Sequence, residues 1–218
     1  MPDQKDRGLL KIVTMGDSLT QGGAPPEHRH GNTAQYQWFM YKFLKGQGMN
    51  VDIWNLGIGG QTIGQIVNRI SPALPADVVT IMGGTNDIWH FIAAMEGHEE
   101  EIVDGIIEEL TRGINVIRKD PGCKNTRIIL CSIPPFGDVK TLPKNGFDTL
   151  NKTNLFVEQL CKKEGVIFCD VNKAMRADDK AKFARREFVV PDGVHFTPAG
   201  NQACGEAIAR CIAVAVKT

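Results

Sequence analysis

The chain has 218 residues, of which 42% are apolar and 23% are charged, a composition typical of a globular protein with a sizeable hydrophobic core. Twenty-five basic residues balance twenty-five acidic ones without a long block of either sign, which argues against nucleic acid or an anionic membrane as the main partner. The charged N-terminus lacks the apolar segment of a signal peptide, and no apolar run approaches the roughly 20 residues that span a bilayer. We therefore expect a cytoplasmic protein without membrane insertion, unless a leader has been removed, that acts on a small molecule.

The six cysteines do not form the pattern of a disulfide scaffold in a chain of this length. Cys131 and Cys169 fall within apolar, strand-like runs, where a thiol packs as a small hydrophobic group. Cys204 and Cys211 lie on a predicted helix, and their separation along it, about 10 Å by helical rise, exceeds the roughly 7 Å that a disulfide can bridge. We expect reduced cysteines. The pattern leaves two of them undetermined, Cys123 and Cys161.

The first predicted strand, residues 10–15, is almost continuously apolar, as is typical of a strand that is buried on both faces of a parallel sheet. It ends at Gly16, Asp17 and Ser18. In open α/β sheets ligands bind at the carboxyl ends of the strands, so the position of Ser18 makes it a candidate functional residue. A loop rich in Gly, Pro and His follows, between Gln21 and Asn32.

The remainder of the chain alternates between strand and helix patterns. Further strands are predicted at residues 51–56, 78–82, 127–133 and 166–170. Helices are predicted at residues 33–45, 63–74, 99–118, 150–164 and 198–216, the last with Thr197 as its N-cap. Loops are expected at 138–148 and in a basic stretch at 172–186.

This alternation predicts right-handed β-α-β units, a parallel sheet and helices on both of its faces. No linker, repeat or low-complexity segment divides the chain. We therefore expect an α/β fold in which residues 1–218 form a single domain. Its architecture should be a three-layer α/β/α sandwich with a flavodoxin-like, five-stranded parallel sheet.

A serine hydroxyl becomes a useful nucleophile when a histidine takes its proton and a third group orients that histidine. His195 lies three residues after Asp192, so one turn can bring the carboxylate to the Nδ1 atom of the ring while Nε2 faces Ser18. Gly193 between them permits a tight turn. Donors for an oxyanion are available after the second and third strands, as the Gly60 N–H and the Asn86 amide, besides the N–H of Ser18 itself.

Four segments of the chain resemble, in order, the four sequence blocks of the GDSL, or SGNH, hydrolases. They are Gly16-Asp17-Ser18-Leu19, Asn55-x-Gly57-x-x-Gly60-x-Thr62, Gly84-x-Asn86-Asp87 and Asp192-x-x-His195. The resemblance spans nearly the whole chain. It implies the SGNH hydrolase fold, with Ser18 as nucleophile, His195 as base, Asp192 as its orienting partner, and Ser18, Gly60 and Asn86 as the oxyanion hole.

The resemblance also implies a serine esterase that needs no cofactor and no metal. Such an enzyme hydrolyses small carboxylic esters through an acyl-enzyme. The Gly-x-Ser-x-Gly elbow of ordinary α/β-hydrolases is absent, because Thr20 occupies the place of its second glycine. Within the hydrolases, the alternatives are a carbohydrate O-acetylesterase or a thioesterase or lysophospholipase. Outside them, a flavodoxin-like binding module would use the same edge of the sheet.

Each of these residues also has a structural interpretation. Ser18 follows Gly-Asp as a helix-capping serine does, and His195 taken alone has the pattern of a surface histidine. Asn86 and Asp87 are common turn residues, and Asp17 is better explained as a structural hydrogen-bonding group than as a catalyst.

Other residues near the predicted strand ends are weaker candidates. His28-x-His30 has the form of a metal-binding pair, but no further ligands stand at a recognisable spacing, so we interpret it as part of an exposed loop. Three aromatic residues are candidates for an acyl pocket or for the core: Trp89, Phe91 and Phe136. The loops at 21–32, 88–98 and 134–148 are short for an enclosing lid, which predicts a shallow, open crevice. Because each methylene kept out of a pocket forfeits about 0.8 kcal/mol of burial, such a crevice predicts a preference for short acyl chains, from acetate to butyrate. The oligomeric state is not determined by these patterns.

Overall fold

In the computed structural model, residues 8–22, 35–91, 97–140, 145–178 and 180–217 are described. They contain a sheet of five strands: β1 (Leu10–Gly16), β2 (Val51–Gly57), β3 (Val78–Met82), β4 (Arg127–Cys131) and β5 (Ile167–Cys169). The strands lie in the order β2-β1-β3-β4-β5, and every neighbouring pair is parallel. This is the flavodoxin-like order that the alternating pattern predicts, so the predicted fold class is confirmed.

Eight α-helices are described: α1 (Ser18–Gln21), α2 (Tyr36–Gly46), α3 (Ile63–Val67), α4 (Thr85–Phe91), α5 (Glu99–Lys119), α6 (Gly146–Glu164), α7 (Val171–Ala174) and α8 (Pro198–Ala215). Three short 3₁₀ helices lie at Ser71–Ala73, Pro121–Cys123 and Arg186–Phe188. Among the described helices, none is long and apolar enough to cross a membrane.

The two faces of the sheet carry separate hydrophobic cores, because successive side chains of a strand point to opposite faces. On β1, Ile12 packs with α2 and α8, whereas Val13 packs with α3, α5 and α6. The β3 residues Val78 and Val79 divide between the same two cores. Strands buried on both faces explain the nearly continuous apolar runs of the sequence.

Several predicted boundaries differ from the structure. The helix predicted at 63–74 ends at Val67, and a 3₁₀ turn follows at Ser71–Ala73, because Pro72 has no N–H and cannot occupy a helix interior. The helix predicted from residue 150 already begins at Gly146, and α4 occupies part of a predicted loop. Residues 23–34, which include most of the predicted Gly/Pro/His loop and the start of the helix predicted at 33–45, lie outside the described residues.

The described residues of the basic stretch, 172–178 and 180–186, pack around a buried centre, whereas the sequence predicts a loop. The stretch begins within α7, Met175 is fully buried, and Arg176 pairs with Ala184 in an isolated antiparallel bridge. The Arg176 guanidinium donates to the Ala181 carbonyl and to the Asn151 side chain. The charges of this stretch therefore partly serve to fasten it to α6, which the sequence pattern did not indicate.

Candidate active site

Ser18 is the first residue of α1, and only Asp17 separates it from the end of β1. The capping role that the sequence left open for Ser18 belongs to Asp17, whose Oδ1 accepts the Leu19 N–H at 2.9 Å. The Ser18 hydroxyl is therefore not used by the helix end and is available for another contact.

That contact is with His195, 177 residues further along the chain. The Oγ of Ser18 lies 2.9 Å from Nε2 of His195, and Nδ1 of the same ring lies 2.7 Å from Oδ2 of Asp192. For the serine hydroxyl to donate to Nε2, the ring must carry its proton on Nδ1, where it is donated to the carboxylate. The three side chains form the hydrogen-bonded series that nucleophilic catalysis by serine requires.

The turn from Asp192 to His195 holds the imidazole in place. Oδ1 of Asp192 accepts the N–H groups of Val194 at 2.8 Å and His195 at 2.9 Å, so both carboxylate oxygens are engaged. Gly193 has φ +75°, and a Cβ there would approach Val139 side-chain atoms to 2.6 Å, so both conformation and space favour glycine. Because Asp192 and His195 are only three residues apart, these contacts within one turn hold the imidazole ring in a fixed orientation.

The protonation state of Asp192 suits this arrangement. Partial burial alone would raise the pKa of its carboxyl, but hydrogen bonds from the Val194 and His195 N–H groups and from the His195 ring hold that pKa below its ordinary value. Asp192 is therefore ionised at neutral pH and can stabilise a positive charge on the ring.

The site is open towards solvent on the described side. The side chains of His195 and Asp192 are 49% and 48% exposed. A cavity of about 370 Å³ adjoins them, lined by Ser18, Leu19, Gln21, Gly22, His195, Phe196 and Asn201. A substrate can reach the serine and histidine from this cavity.

The candidate oxyanion donors lie at the same edge of the sheet. Gly60 belongs to the turn between β2 and α3, and Asn86 lies in the first turn of α4. Asn86 Nδ2 donates one hydrogen to the Gln61 carbonyl at 2.9 Å and keeps a second, which places this amide beside the Gly60 turn. An ideal Cβ on Gly59 would lie 3.7 Å from Cβ of Ser18, so the turn also adjoins the serine.

Asp87 anchors α3 rather than forming a simple turn. Its two carboxylate oxygens lie 3.0 and 3.3 Å from the Ile63 N–H, which is an otherwise unsatisfied donor at the start of that helix. Burial raises the pKa of Asp87 to about 6. The residue thus fixes the end of the Gly60 turn.

Asp17 is a buried acid directly before the serine. Only 1% of the residue is exposed, and its Oδ2 has no hydrogen-bond partner among the described residues. Burial raises the pKa of Asp17 to about 7, and the nearby Asp87 charge adds to this rise. Asp17 therefore binds a proton in the folded protein over a pH range in which the unfolded chain has released it.

This difference predicts how stability depends on pH. Because the folded-state pKa is raised, Asp17 lowers stability as pH increases from about 4 to about 7. Asp17→Asn keeps the cap acceptor but does not titrate. We expect the free energy of unfolding of Asp17→Asn, relative to the natural protein, to increase by about 2 to 3 kcal/mol between pH 5 and pH 8. Urea unfolding at both pH values measures it, and parallel pH profiles would contradict the assignment.

The role proposed for Asn86 is tested by Asn86→Ala, which removes one candidate donor. We expect kcat to fall by about 10²- to 10³-fold, or roughly 3 to 4 kcal/mol of transition-state stabilisation, with little change in KM, because the donor acts on charge that develops in the reaction. Kinetics on an activated ester measure this, with circular dichroism to verify folding. Asn68→Ala, at an exposed asparagine, is the control. A loss in kcat below about threefold would contradict the assignment of Asn86 as an oxyanion donor.

Arg69 is a supporting residue that sequence reasoning missed. Its guanidinium donates to the Leu56 and Gly16 carbonyls at 2.8 and 3.2 Å, and to the Gln61 side chain at 2.7 Å. It thus joins the ends of β1 and β2 to the Gly60 turn. The sequence feature that could have identified Arg69 is its position next to Ile70 in an apolar stretch, because a charged side chain that is partly buried there needs hydrogen-bond acceptors.

The aromatic residues considered for an acyl pocket do not come together at the triad. Phe136 is 1% exposed and packs edge-on against Trp89, with ring centroids 5.2 Å apart, so Phe136 belongs to the core. The side chain of Phe91 and the histidines His28 and His30 lie outside the described residues. Within the described ranges, no group of three or more His, Cys, Asp or Glu side chains is placed to hold a metal ion, and the six cysteines have free thiols.

Comparison with protein families gives one match. The model of the GDSL-like Lipase/Acylhydrolase family matches residues 14–203, which include all of the candidate site residues. No curated protein sequence matches the chain.

Comparison with solved structures identifies similar folds at low identity. A catalytic mutant of Axe2, an acetylxylan esterase from Geobacillus stearothermophilus, is 22% identical, with a TM-score of 0.75 over 93% of this chain and 94% of that one. The acetyl xylan esterase AlAXEase is 21% identical, with a TM-score of 0.71 over 93% of this chain and 100% of that one. The Axe2 structures include catalytic mutants that replace a serine, an aspartate and a histidine.

Proposed function

The chain belongs to the GDSL-like lipase/acylhydrolase family, which makes it a carboxylic ester hydrolase, and we propose that it cleaves small, short-chain esters through an acyl-enzyme on Ser18. The observation that carries this proposal is the hydrogen-bonded series from Ser18 Oγ through His195 to Asp192, at 2.9 and 2.7 Å.

In the first half of the reaction, Oγ of Ser18 attacks the ester carbonyl while Nε2 of His195 takes the hydroxyl proton. The imidazolium that forms is stabilised by the ionised Asp192, which remains a carboxylate. His195 then gives the proton to the alcohol oxygen as the bond between acyl carbon and alcohol breaks. The products are the free alcohol and an ester of the acyl group with Ser18.

In the second half, water takes the place of the alcohol. His195 accepts a proton from the water, the resulting hydroxide attacks the acyl carbon, and the proton passes to Oγ as the carboxylic acid leaves. In both halves the carbonyl oxygen becomes negative, and the N–H groups of Ser18 and Gly60 and the Asn86 amide are the proposed donors to it.

The structural neighbours support these roles. The catalytic mutants of Axe2 replace a serine, an aspartate and a histidine, and the aspartate and histidine are three residues apart, as Asp192 and His195 are here. This agreement in residue type and spacing supports the roles proposed for Ser18, Asp192 and His195.

The preference for short acyl chains rests on the open site. The cavity beside Ser18 is about 370 Å³, and the side chains of His195 and Asp192 are about half exposed. An acyl chain that extends into solvent forfeits about 0.8 kcal/mol of burial for each methylene left outside a pocket. Acetate to butyrate esters are therefore the proposed substrates.

A series of p-nitrophenyl esters from two to sixteen carbons tests the preference. We expect kcat/KM to be highest between acetate and butyrate and to fall beyond them. A second cavity, of about 600 Å³, is lined by Gly193 of the turn from Asp192 to His195 and by Val139, Val189 and Arg186, but by neither Ser18 nor His195. A monotonic rise beyond eight carbons would overturn the short-chain proposal, favour a lysophospholipase or thioesterase, and point to this cavity as the acyl site.

A carbohydrate O-acetylesterase is the second candidate, favoured by the two acetylxylan esterases among the structural neighbours. Acetate release from an acetylated xylo-oligosaccharide, compared with p-nitrophenyl acetate, separates the two. A higher kcat/KM on the sugar ester would favour the O-acetylesterase. The flavodoxin-like binding module that the fold alone allows is disfavoured by the family and has no use for the Ser18–His195 contact.

A further inference from the structure

Gln21, at the end of α1, contacts both the helix that carries the nucleophile and the turn that carries Gly60. Its side-chain Oε1 accepts the Gly59 N–H at 2.6 Å. A backbone N–H can only donate, so this contact fixes the amide with Oε1 towards Gly59. Gly59 in turn adjoins Ser18, because an ideal Cβ on Gly59 would lie 3.7 Å from Cβ of the serine.

The main chain of Gln21 is held firmly against β2. At Gly57 a Cβ would lie 2.1 Å from the Gln21 nitrogen, so α1 and β2 meet at a distance that only glycine allows. The Gln21 carbonyl accepts from Asn55 Nδ2 at 3.3 Å, and the preceding Thr20 carbonyl accepts from the buried Gln37 amide at 3.0 Å. A helix of four residues does not maintain itself, and these amides supply the partners that its last carbonyls lack.

The Gly60 turn needs such support from α1. Gly60 has φ +77° and is exposed, and neighbouring glycines leave the backbone free to change conformation. The turn is held at its start, where Asn55 Oδ1 accepts the Gly57 N–H at 3.0 Å, and after Gly60, where Asn86 donates to the Gln61 carbonyl. Gln21 holds the residue in between and connects it to the nucleophile's own helix.

We propose that Gln21 is a positioning residue that fixes the Gly60 N–H relative to Ser18, so that the donor and the nucleophile act on the same carbonyl group. Gln21 does not itself touch the reacting atoms in this role. The inference rests on the proposed function, because it assigns Gly60 to the oxyanion hole of an esterase acting through Ser18.

Gln21→Met tests the inference, since methionine has a similar length and no acceptor of comparable strength. We expect kcat to fall by about 10- to 100-fold with KM within about twofold, less than the 10²- to 10³-fold expected for loss of a donor, because a displaced donor retains part of its effect. Gln202→Met, at an exposed glutamine that hydrogen-bonds Glu206, is the matched control and should retain natural kinetics.

A second readout separates positioning from a general structural effect. A trifluoromethyl ketone forms a tetrahedral adduct with Ser18 whose oxyanion lies in the oxyanion hole, whereas the planar product carboxylic acid forms no such adduct. The Ki of the ketone should rise in Gln21→Met by the factor by which kcat/KM falls, and the Ki of the acid should change less than twofold. The substitution should also cost less in an Asn86→Ala background than in the natural protein, because both act on the same hole.

The inference is overturned if kcat of Gln21→Met stays within twofold of natural, or if kcat falls while the ketone binds with unchanged Ki. If the methionine variant does not fold, Gln21→Ala, which introduces no new bulk, is held to the same criteria. Esterase activity of the natural protein and its loss in Ser18→Ala are measured alongside. They test the proposed function independently of the outcome at Gln21.

Discussion

Ser18→Ala should reduce kcat/KM on every ester in the chain-length series by about 10⁶-fold, the scale on which serine hydrolases lose activity when the nucleophile is removed. The hydroxyl supplies the atom that forms the acyl-enzyme, and no other described group contacts Nε2 of His195. The fold should be unaffected, since Asp17 caps α1 and the Ser18 hydroxyl contributes nothing to the helix end.

The measurement is initial-rate hydrolysis of p-nitrophenyl acetate together with mass spectrometry after reaction with a fluorophosphonate. The natural protein should gain one adduct, on Ser18, and Ser18→Ala should gain none. Ser71→Ala provides the control, because Ser71 is an exposed serine that precedes β3 and lies at the opposite edge of the sheet. Turnover by Ser18→Ala above about one thousandth of the natural rate would place the chemistry elsewhere.

His195→Ala should cost about as much as Ser18→Ala, because without the imidazole nothing accepts the serine proton at neutral pH and nothing returns it to the alcohol. Asp192→Asn should cost less, about 10⁴-fold, since the ring remains but is less well oriented and its positive charge is less stabilised. The order of the two losses therefore distinguishes the base from the residue that orients it.

The chain contains a matched control for this pair. His98 also lies three residues from a carboxylate, with its Nδ1 2.7 Å from Glu101 Oε1, but its side chain is 63% exposed and none of the described residues places a serine hydroxyl on its ring. His98→Ala should leave kcat/KM unchanged, since a histidine–carboxylate pair without a nucleophile cannot perform the reaction. An equal or greater loss in Asp192→Asn than in His195→Ala would mean that the carboxylate does more than orient the ring.

The groups around the serine illustrate how a fold maintains a site at some cost in stability. Asp17 is buried next to the nucleophile, and one of its oxygens has no hydrogen-bond partner in the described part of the chain, an arrangement that a stability argument alone does not favour. Its other oxygen, however, fixes the start of α1, while buried amides fix the end of that helix. A catalytic group held by a second layer of hydrogen bonds loses little freedom when the substrate binds.

The sequence alone determined those features that depend on near neighbours in the chain. The turn from Asp192 to His195 can be predicted from the spacing of these two residues and the glycine between them. The glycine-rich segments at the ends of β1, β2 and β3 can be located because each comes directly after an apolar run. Because parallel strands present their carboxyl ends at one edge, the candidate residues could be assigned to one crevice. The family expected from the four blocks is confirmed, as is the order of the sheet.

Tertiary structure decided what depends on contacts between distant segments. Three sets of hydrogen bonds join separate elements: Ser18 with His195, Gly59 with Gln21, and Leu56 with Arg69. Secondary-structure propensities carry no information about the distances between such elements. The course of the basic stretch, with its bridge from Arg176 to Ala184, was likewise set by packing rather than by periodicity. The end of α3 at Val67 is different, because it follows from a local feature, Pro72, which the apolar periodicity of the segment did not reveal. Local pattern determines which residues reach the edge of the sheet, whereas side-chain packing determines which of them touch.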